Sequence, residues 1–461
     1  MQPVTMSAPD RPFTAAALRR GFPVSAAAPL RHEPPPAVLD LRLSPDRLAL
    51  PVAPAPQPSL RRTGLCALLA ERAHRHPHRV AFIDPRDKPG WNGRGAITWT
   101  YGAATEIVAR LANGLRGWRL TPSSRIGLCL DGGAESLIAY LAVEAAGHLP
   151  CLLPIAWDED RLVEAAQAAG LSAVLTQGRF GADLPAERLR RVALRYFGLR
   201  YLAAFGPDVP DGVISLDALA LDERGGPFAP DTGGGLVTFA AGDPARPLHR
   251  PAASLLAAIA QSRASVRIAP GDRILTLLAN GDLRTVVTGL GAALAAGASL
   301  ELLPVFDASA FAETLRRPLP THLVLPARFE RNLARSLLPG TLRSISLVHR
   351  APTAFGPALL RSTTDRAIVD VVAFDETAIL AGRRGTDDIA ETLADPVSAL
   401  LPPAAMAMRI EADGCLAFRG EACIAGLLQR GITPQGTGED WTVSRFRVAV
   451  RDGRATGATL A

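Results

Sequence analysis

The chain has 461 residues, enough for two or three domains that each bury a core. Hydrophobic residues make up 48% and charged residues 20%, which excludes fibrous and wholly disordered classes. The formal charge is +6, but Lys88 is the sole lysine, and the arginines are spread along the chain among 44 acidic residues, a pattern that argues against a nucleic-acid partner.

Residues 1–58 are dominated by Pro, Ala and Arg, as in Glu33-Pro34-Pro35-Pro36, and their apolar residues keep no period. They are expected to form a disordered or partner-docking arm. Past residue 60 the pattern alternates. Leu65, Leu68, Leu69 and Arg72 follow a helical repeat, Val80 to Ile83 reads as a strand, and Ile107, Leu111 and Leu115 mark one helix face. Strands are expected at 125–130 and 173–176, with a helix through Leu137, Tyr140 and Leu141 between them. The rhythm resumes with strands at 236–240, 273–278, 299–303, 321–325, 343–348 and 367–373. Strands separated by helix-length segments imply parallel sheets covered by helices. From about 402 the runs are short and β-like, with turns at Ala412-Asp413-Gly414 and Arg451-Asp452-Gly453. The expected fold class is therefore α/β: a subdomain over 59–235, a second over 236–401, and a small β subdomain over 402–461.

The apolar stretches 137–157 and 286–300 are broken by Glu144, Pro and Gly, or are too short for the roughly 20 residues a bilayer requires. No membrane span and no secretory leader are expected. Cys66, Cys129, Cys151, Cys415 and Cys423 are scattered without a C-x-x-C pair, which favours reduced thiols and a cytoplasmic setting. His74, His76 and His78 straddle Pro77 and cannot share one face, so no metal ligand is assigned. No G-x-S-x-G nucleophile elbow occurs. Lys88 lies in Asp84-Pro85-Arg86-Asp87-Lys88-Pro89-Gly90, which reads as a surface loop.

The stretch Ala70-Glu71-Arg72-Ala73-His74-Arg75-His76-Pro77-His78-Arg79-Val80-Ala81-Phe82, then Ile97-Thr98-Trp99-Thr100-Tyr101, Leu111-Ala112-Asn113-Gly114-Leu115 and Leu137 to Gly147, resembles the start of the adenylate-forming superfamily of acyl-CoA synthetases and adenylation domains. The resemblance implies that family's N-terminal domain. The mobile C-terminal domain that follows it in the family is expected to be absent.

That family joins a carboxylate to the α-phosphate of ATP, and its loop of glycines, hydroxyls and a Lys, together with Mg²⁺, neutralises the phosphates. The matching segment here is Phe239-Ala240-Ala241-Gly242-Asp243-Pro244-Ala245-Arg246-Pro247-Leu248. Phe239, Gly242 and Pro247 keep the frame. The hydroxyls are replaced by Ala240, Ala241, Asp243 and Pro244, the second Gly by Ala245 and the Lys by Leu248. Arg246 or Arg250 is the candidate replacement charge.

The family's aromatic-Gly-x-Thr-Glu, whose Glu holds Mg²⁺, reads Phe374-Asp375-Glu376-Thr377-Ala378. Glu376 lies two places early and is expected to be a solvated or structurally bonded carboxylate, with a surrogate Mg²⁺ ligand as the alternative. The turn that packs on adenine reads His349-Arg350-Ala351-Pro352, with His349 and Arg350 positioned to fill the pocket. The acid that holds the ribose falls on Phe446, with Gly436-Thr437-Gly438-Glu439-Asp440 as a competing placement. Asn280, Gly281, Val287 and Leu290, with Arg350 and Phe374, are the acyl-pocket candidates.

The resemblance therefore implies a catalytically impaired relative with no catalytic residue and no cofactor, which binds a protein partner or an active paralogue, or retains an acyl or aryl carboxylate pocket, in the service of a biosynthetic or assembly complex. The alternative is an active carboxylate-activating ligase using ATP and Mg²⁺ through divergent motifs.

Overall fold

Short runs rich in Val, Leu, Ile and Ala, unbroken by charge, suit strands buried on both faces, and parallel sheets form from them. The computed structural model describes residues 64–461 except 208, 223, 227–233, 396–405, 424 and 429–439. The arm expected over 1–58 lies outside the described residues.

One eight-stranded sheet is built on Arg125–Cys129, with Leu149–Leu152 and Ala173–Gln177 parallel on either side. Tyr201–Phe205 and Ile214–Ser215 extend it in parallel. Gly235–Phe239 lies beside Leu149–Leu152, and Pro247–Pro251 turns back antiparallel to it. A second eight-stranded sheet has Arg273–Thr276 between Ser299–Leu302 and Thr321–Pro326, followed by Leu342–Arg350 and Ala367–Phe374, all parallel. Ala378–Arg383 closes one edge antiparallel. A third, five-stranded sheet is antiparallel in its pairings and carries Ala407–Ile410, Cys415–Arg419, Thr442–Arg451 and Arg454–Leu460.

Every residue of the helix Ala134–Ala145 is buried. Such a helix, buried on every face, belongs inside a large core, where its Glu135 and Glu144 need partners. Ile138 and Leu141 share one cluster with Leu128 of the first sheet and with Leu300 and Val372 of the second.

All the expected strands form. Their grouping differs from the boundary expected at 235/236. Val80–Ile83 and Thr98–Thr100 join the second sheet, while Gly235–Phe239 and Pro247–Pro251 join the first. A strand's own pattern encodes how deeply it is buried, not which strand it pairs with. Among the described residues no helix is long and apolar enough to cross a membrane.

Lys88 corrects the surface-loop reading. It has no exposed surface, and its Nζ donates to Asp84 Oδ2 at 2.6 Å and to Glu135 Oε1 and Oε2 at 2.6 and 2.7 Å. Arg94 Nε lies 2.9 Å from the same Glu135 Oε1. The acids that make this burial affordable come from the start of the loop and from a helix 47 residues away.

Candidate functional site

Gly235–Phe239 ends against Trp157, whose ring meets Phe239 edge-on at 5.1 Å. The chain then turns through Ala240–Gly242 and returns as Pro247–Pro251, with Phe239 paired to Pro247. Ala241 and Gly242 both have positive φ, 58° and 69°.

This turn is closed by its own hydrogen bonds. Ala240 N donates to Arg246 O at 3.0 Å, Asp243 N to Ala240 O at 2.9 Å and Arg246 N to Asp243 O at 3.0 Å. Ala245 N donates to Asp243 Oδ1 at 3.0 Å, so this carboxylate takes an amide from within the loop. Pro244 has no N–H to give. Arg161, a residue without a sequence signal, stacks on Trp157 at 5.0 Å and donates from Nη2 to Gly242 O. Leu248, in the lysine position, is buried, and the Arg246 side chain is exposed.

Arg250 is not a replacement charge. It is buried, and Nη1 donates to Ser254 Oγ at 2.7 Å and Ala422 O at 2.6 Å, while Nη2 donates to Glu376 O at 2.9 Å and Thr377 O at 2.7 Å. Burial lowers its pKa. Its guanidinium fastens the Phe374–Ala378 turn to the strand that follows the loop.

In that turn Asp375 has φ 54° and is paired with Arg445 Nε at 2.9 Å. Phe374 is fully buried, 5.2 Å from Phe418 and 5.9 Å from Phe446, so the residue in the ribose-acid position is a core aromatic. Of the competing ribose placement, residues 436–439 lie outside the described residues. Thr377 lends its carbonyl to Arg250, and Ala378, in the Mg²⁺-ligand position, has no exposed surface.

Glu376 is the structurally bonded carboxylate among the expected readings. It is 2% exposed, and Oε2 accepts the Leu283 N–H at 2.9 Å. Burial, with nearby Asp282, pushes its pKa up to about 7; the Leu283 N–H, Arg350 and a hydrogen bond from Thr238 oppose this. Its folded-state pKa lies above the ordinary 4.5, so its contribution to stability is complete below about 4.5 and is lost as pH rises through 7. A shift of this size is worth up to roughly 3 kcal/mol. Urea unfolding at pH 5 and pH 8 should therefore show a smaller difference for Glu376→Gln than for the parent chain.

His349 and Arg350 do not both enter the adenine position, because neighbouring residues on a strand face opposite ways. Arg350 Nη2 lies 3.5 Å from where a Cβ on Gly242 would be, and its charge acts on Glu376. His349 faces away, with Nε2 3.4 Å from Asp370 Oδ1 and its ring 5.3 Å from Phe355. Ala351 is buried directly after them.

The acyl-pocket candidates are only partly brought together. Asn280 and Leu290 line a cavity of about 20 Å³, enclosed by Leu128, Leu137, Leu152 and Val286. That is room for about one water. Asn280 is a tie between segments: Nδ2 donates to Ser136 Oγ at 2.7 Å and N to Asp131 Oδ1 at 3.1 Å. Val287 is fully buried away from the cavity lining, and Gly281 packs on Pro154.

Residues 69–203 match the family model described as AMP-binding enzyme. A linear gramicidin synthase polypeptide from Brevibacillus parabrevis is 30% identical over 153 residues, 33% of this chain and 2% of that protein. The chain thus matches a small fraction of that relative's length. The apo structure of MbtA from Mycobacterium smegmatis superposes with a TM-score of 0.66 at 19% identity, covering 87% of this chain and 76% of that one. The N-terminal domain of FACL13 from Mycobacterium tuberculosis superposes with a TM-score of 0.65 at 12% identity, covering 86% of this chain and 99% of that domain.

Proposed function

Starting from a chain that carries an AMP-binding domain over residues 69–203 on the N-terminal-domain fold of adenylate-forming enzymes, we propose a pseudoenzyme: a scaffold or regulatory component of a biosynthetic complex. The observation that carries this reading is the phosphate-loop position. Four of its amides are engaged inside the loop, its lysine position is a buried Leu248, and Asp243 adds a negative charge. A Mg²⁺-triphosphate needs free donors and cations there, and each lost preorganised donor costs roughly 3 kcal/mol of transition-state stabilisation. Arg246 is an exposed cation on the loop and Arg350 lies beside Gly242, but neither restores the missing donors, so the residues present do not fit that ligand.

Two further features support the reading. Ala378 leaves the Mg²⁺-ligand position without a carboxylate, and the cavity near Asn280 is too small for an acyl or aryl chain. The likeness to one component of a synthase favours work within an assembly. The partner would then be a component of that assembly or an active paralogue, in the cytoplasm.

The test is carboxylate-dependent ATP–pyrophosphate exchange with a panel of fatty and aryl acids, joined to thermal melts with Mg-ATP. The expected result is no exchange and no shift. A ligand at 100 times its Kd would raise stability by about 2.7 kcal/mol, well within detection. Clear exchange would overturn the proposal and identify an active ligase instead.

A further inference from the structure

The second sheet assembles a serine–histidine–aspartate contact far from the nucleotide position. His322 and Ser344 are direct neighbours on adjacent parallel strands, and Asp272 immediately precedes the strand on the other side of His322. His322 Nε2 lies 3.0 Å from Asp272 Oδ2, and His322 Nδ1 lies 2.8 Å from Ser344 Oγ. With the carboxylate accepting Nε2–H, Nδ1 is left with a lone pair that accepts the Ser344 hydroxyl proton. That is the tautomer a general base requires. Burial lowers the His322 pKa, in keeping with a neutral ring.

All three residues line one groove of about 590 Å³, within the range of small-molecule sites. Ser344 and His322 are each 2% exposed, so their opening is this groove. Arg383 lines it as well, and its Nε is a buried donor without an acceptor among the described residues. Arg267 and Arg343 line it with Asp365 and Asp387, all four exposed, so the groove wall carries both signs of charge. Ser344 is six residues before Arg350 on one strand, about 20 Å at roughly 3.3 Å per residue. The groove therefore lies at the opposite end of the sheet from the nucleotide position.

We propose that Asp272, His322 and Ser344 form a hydrolytic site for a small carboxylic ester. Ser344 Oγ bonds to the acyl carbon as its proton passes to His322 Nδ1. The ester C–O bond breaks, and the departing alkoxide takes that proton. Water then attacks the acyl-serine through the same base, returning the proton to Ser344 Oγ and releasing the acid. The net reaction is ester plus water giving acid plus alcohol.

The probe is diisopropyl fluorophosphate on the full chain, which forms an Oγ–phosphorus bond and releases fluoride. Peptide mass mapping should place one adduct on Ser344. Labelling should slow roughly 100-fold or more in His322→Gln, as expected for a lost general base, and be unchanged in Ser346→Ala. The parent chain should hydrolyse 4-nitrophenyl acetate, and Ser344→Ala should lose that activity. A folded parent chain that takes no adduct overturns the proposal, whatever the variants do. So does labelling that His322→Gln leaves unchanged, which would make the contact a structural ladder only.

Discussion

Replacing Lys88 by Met is expected to destabilise the fold by about 3–5 kcal/mol, the usual consequence of removing one partner from a buried ion pair. The side chain lengths are similar, so the change is one of charge. Asp84 has no exposed surface at its carboxylate and Glu135 has 7%. Asp84 keeps the amides of Ile97 and Ala134, at 3.0 and 2.8 Å, and Glu135 keeps Arg94. Two carboxylates would nevertheless share the site without the cation between them. Ala134 begins the buried helix Ala134–Ala145, so the damage reaches the element that joins both large sheets in one core. Chemical denaturation measures the loss. Adding Glu135→Gln to Lys88→Met should cost less than the sum of the single changes, because the first change already strands the acid. An effect below about 1 kcal/mol would mean that the cluster is solvated and would remove its structural role.

Lys88 also shows where reading the sequence stops. Its neighbours Asp, Pro, Arg and Gly suit an exposed turn, and the information that buries it lies in Glu135. The strands were legible because each one's apolar run is local, and Leu342–Arg350 forms where that run predicts. Sheet membership was not legible, since pairing of Val80–Ile83 with Ser299–Leu302 is a long-range choice. The Asp272–His322–Ser344 contact was invisible for the same reason: no motif spans three strands. At the nucleotide position the substitutions were legible one by one, and Pro244 already announced a missing donor. What the sequence left open was whether the remaining amides stayed free, because that depends on the hairpin closing between Phe239 and Pro247. The different directions of His349 and Arg350 were within reach, since two successive residues on a strand face opposite sides.

Most of the named charges around the candidate site are in structural employment, while the Arg246 side chain is exposed. Arg161 is tied to a loop carbonyl, Arg445 to Asp375 and Arg250 to two turn carbonyls. Under the proposed reading, a polar site whose charges hold its own walls would keep a recognisable frame without its ligand chemistry. Such a frame is consistent with selection for the fold and its surfaces rather than for turnover.

Arg250→Met tests that view with the second large effect. The guanidinium donates to four oxygens, from Ser254, Glu376, Thr377 and Ala422, in a fully buried position. Three of the four are backbone carbonyls, which no rotamer change can redirect. Leaving a buried polar group unsatisfied costs about 1–3 kcal/mol each, and partial relaxation keeps the total below the sum. The expected loss is about 3–5 kcal/mol in denaturant unfolding. Arg250→Lys should recover little of it, because one ammonium cannot reproduce a planar fork across these acceptors. If Arg250 instead served an anion, Arg250→Met would leave stability nearly unchanged and abolish a phosphate- or pyrophosphate-induced rise in melting temperature. Measuring both quantities on the same variant separates a clamp that holds the Phe374–Ala378 turn from a surviving ligand contact.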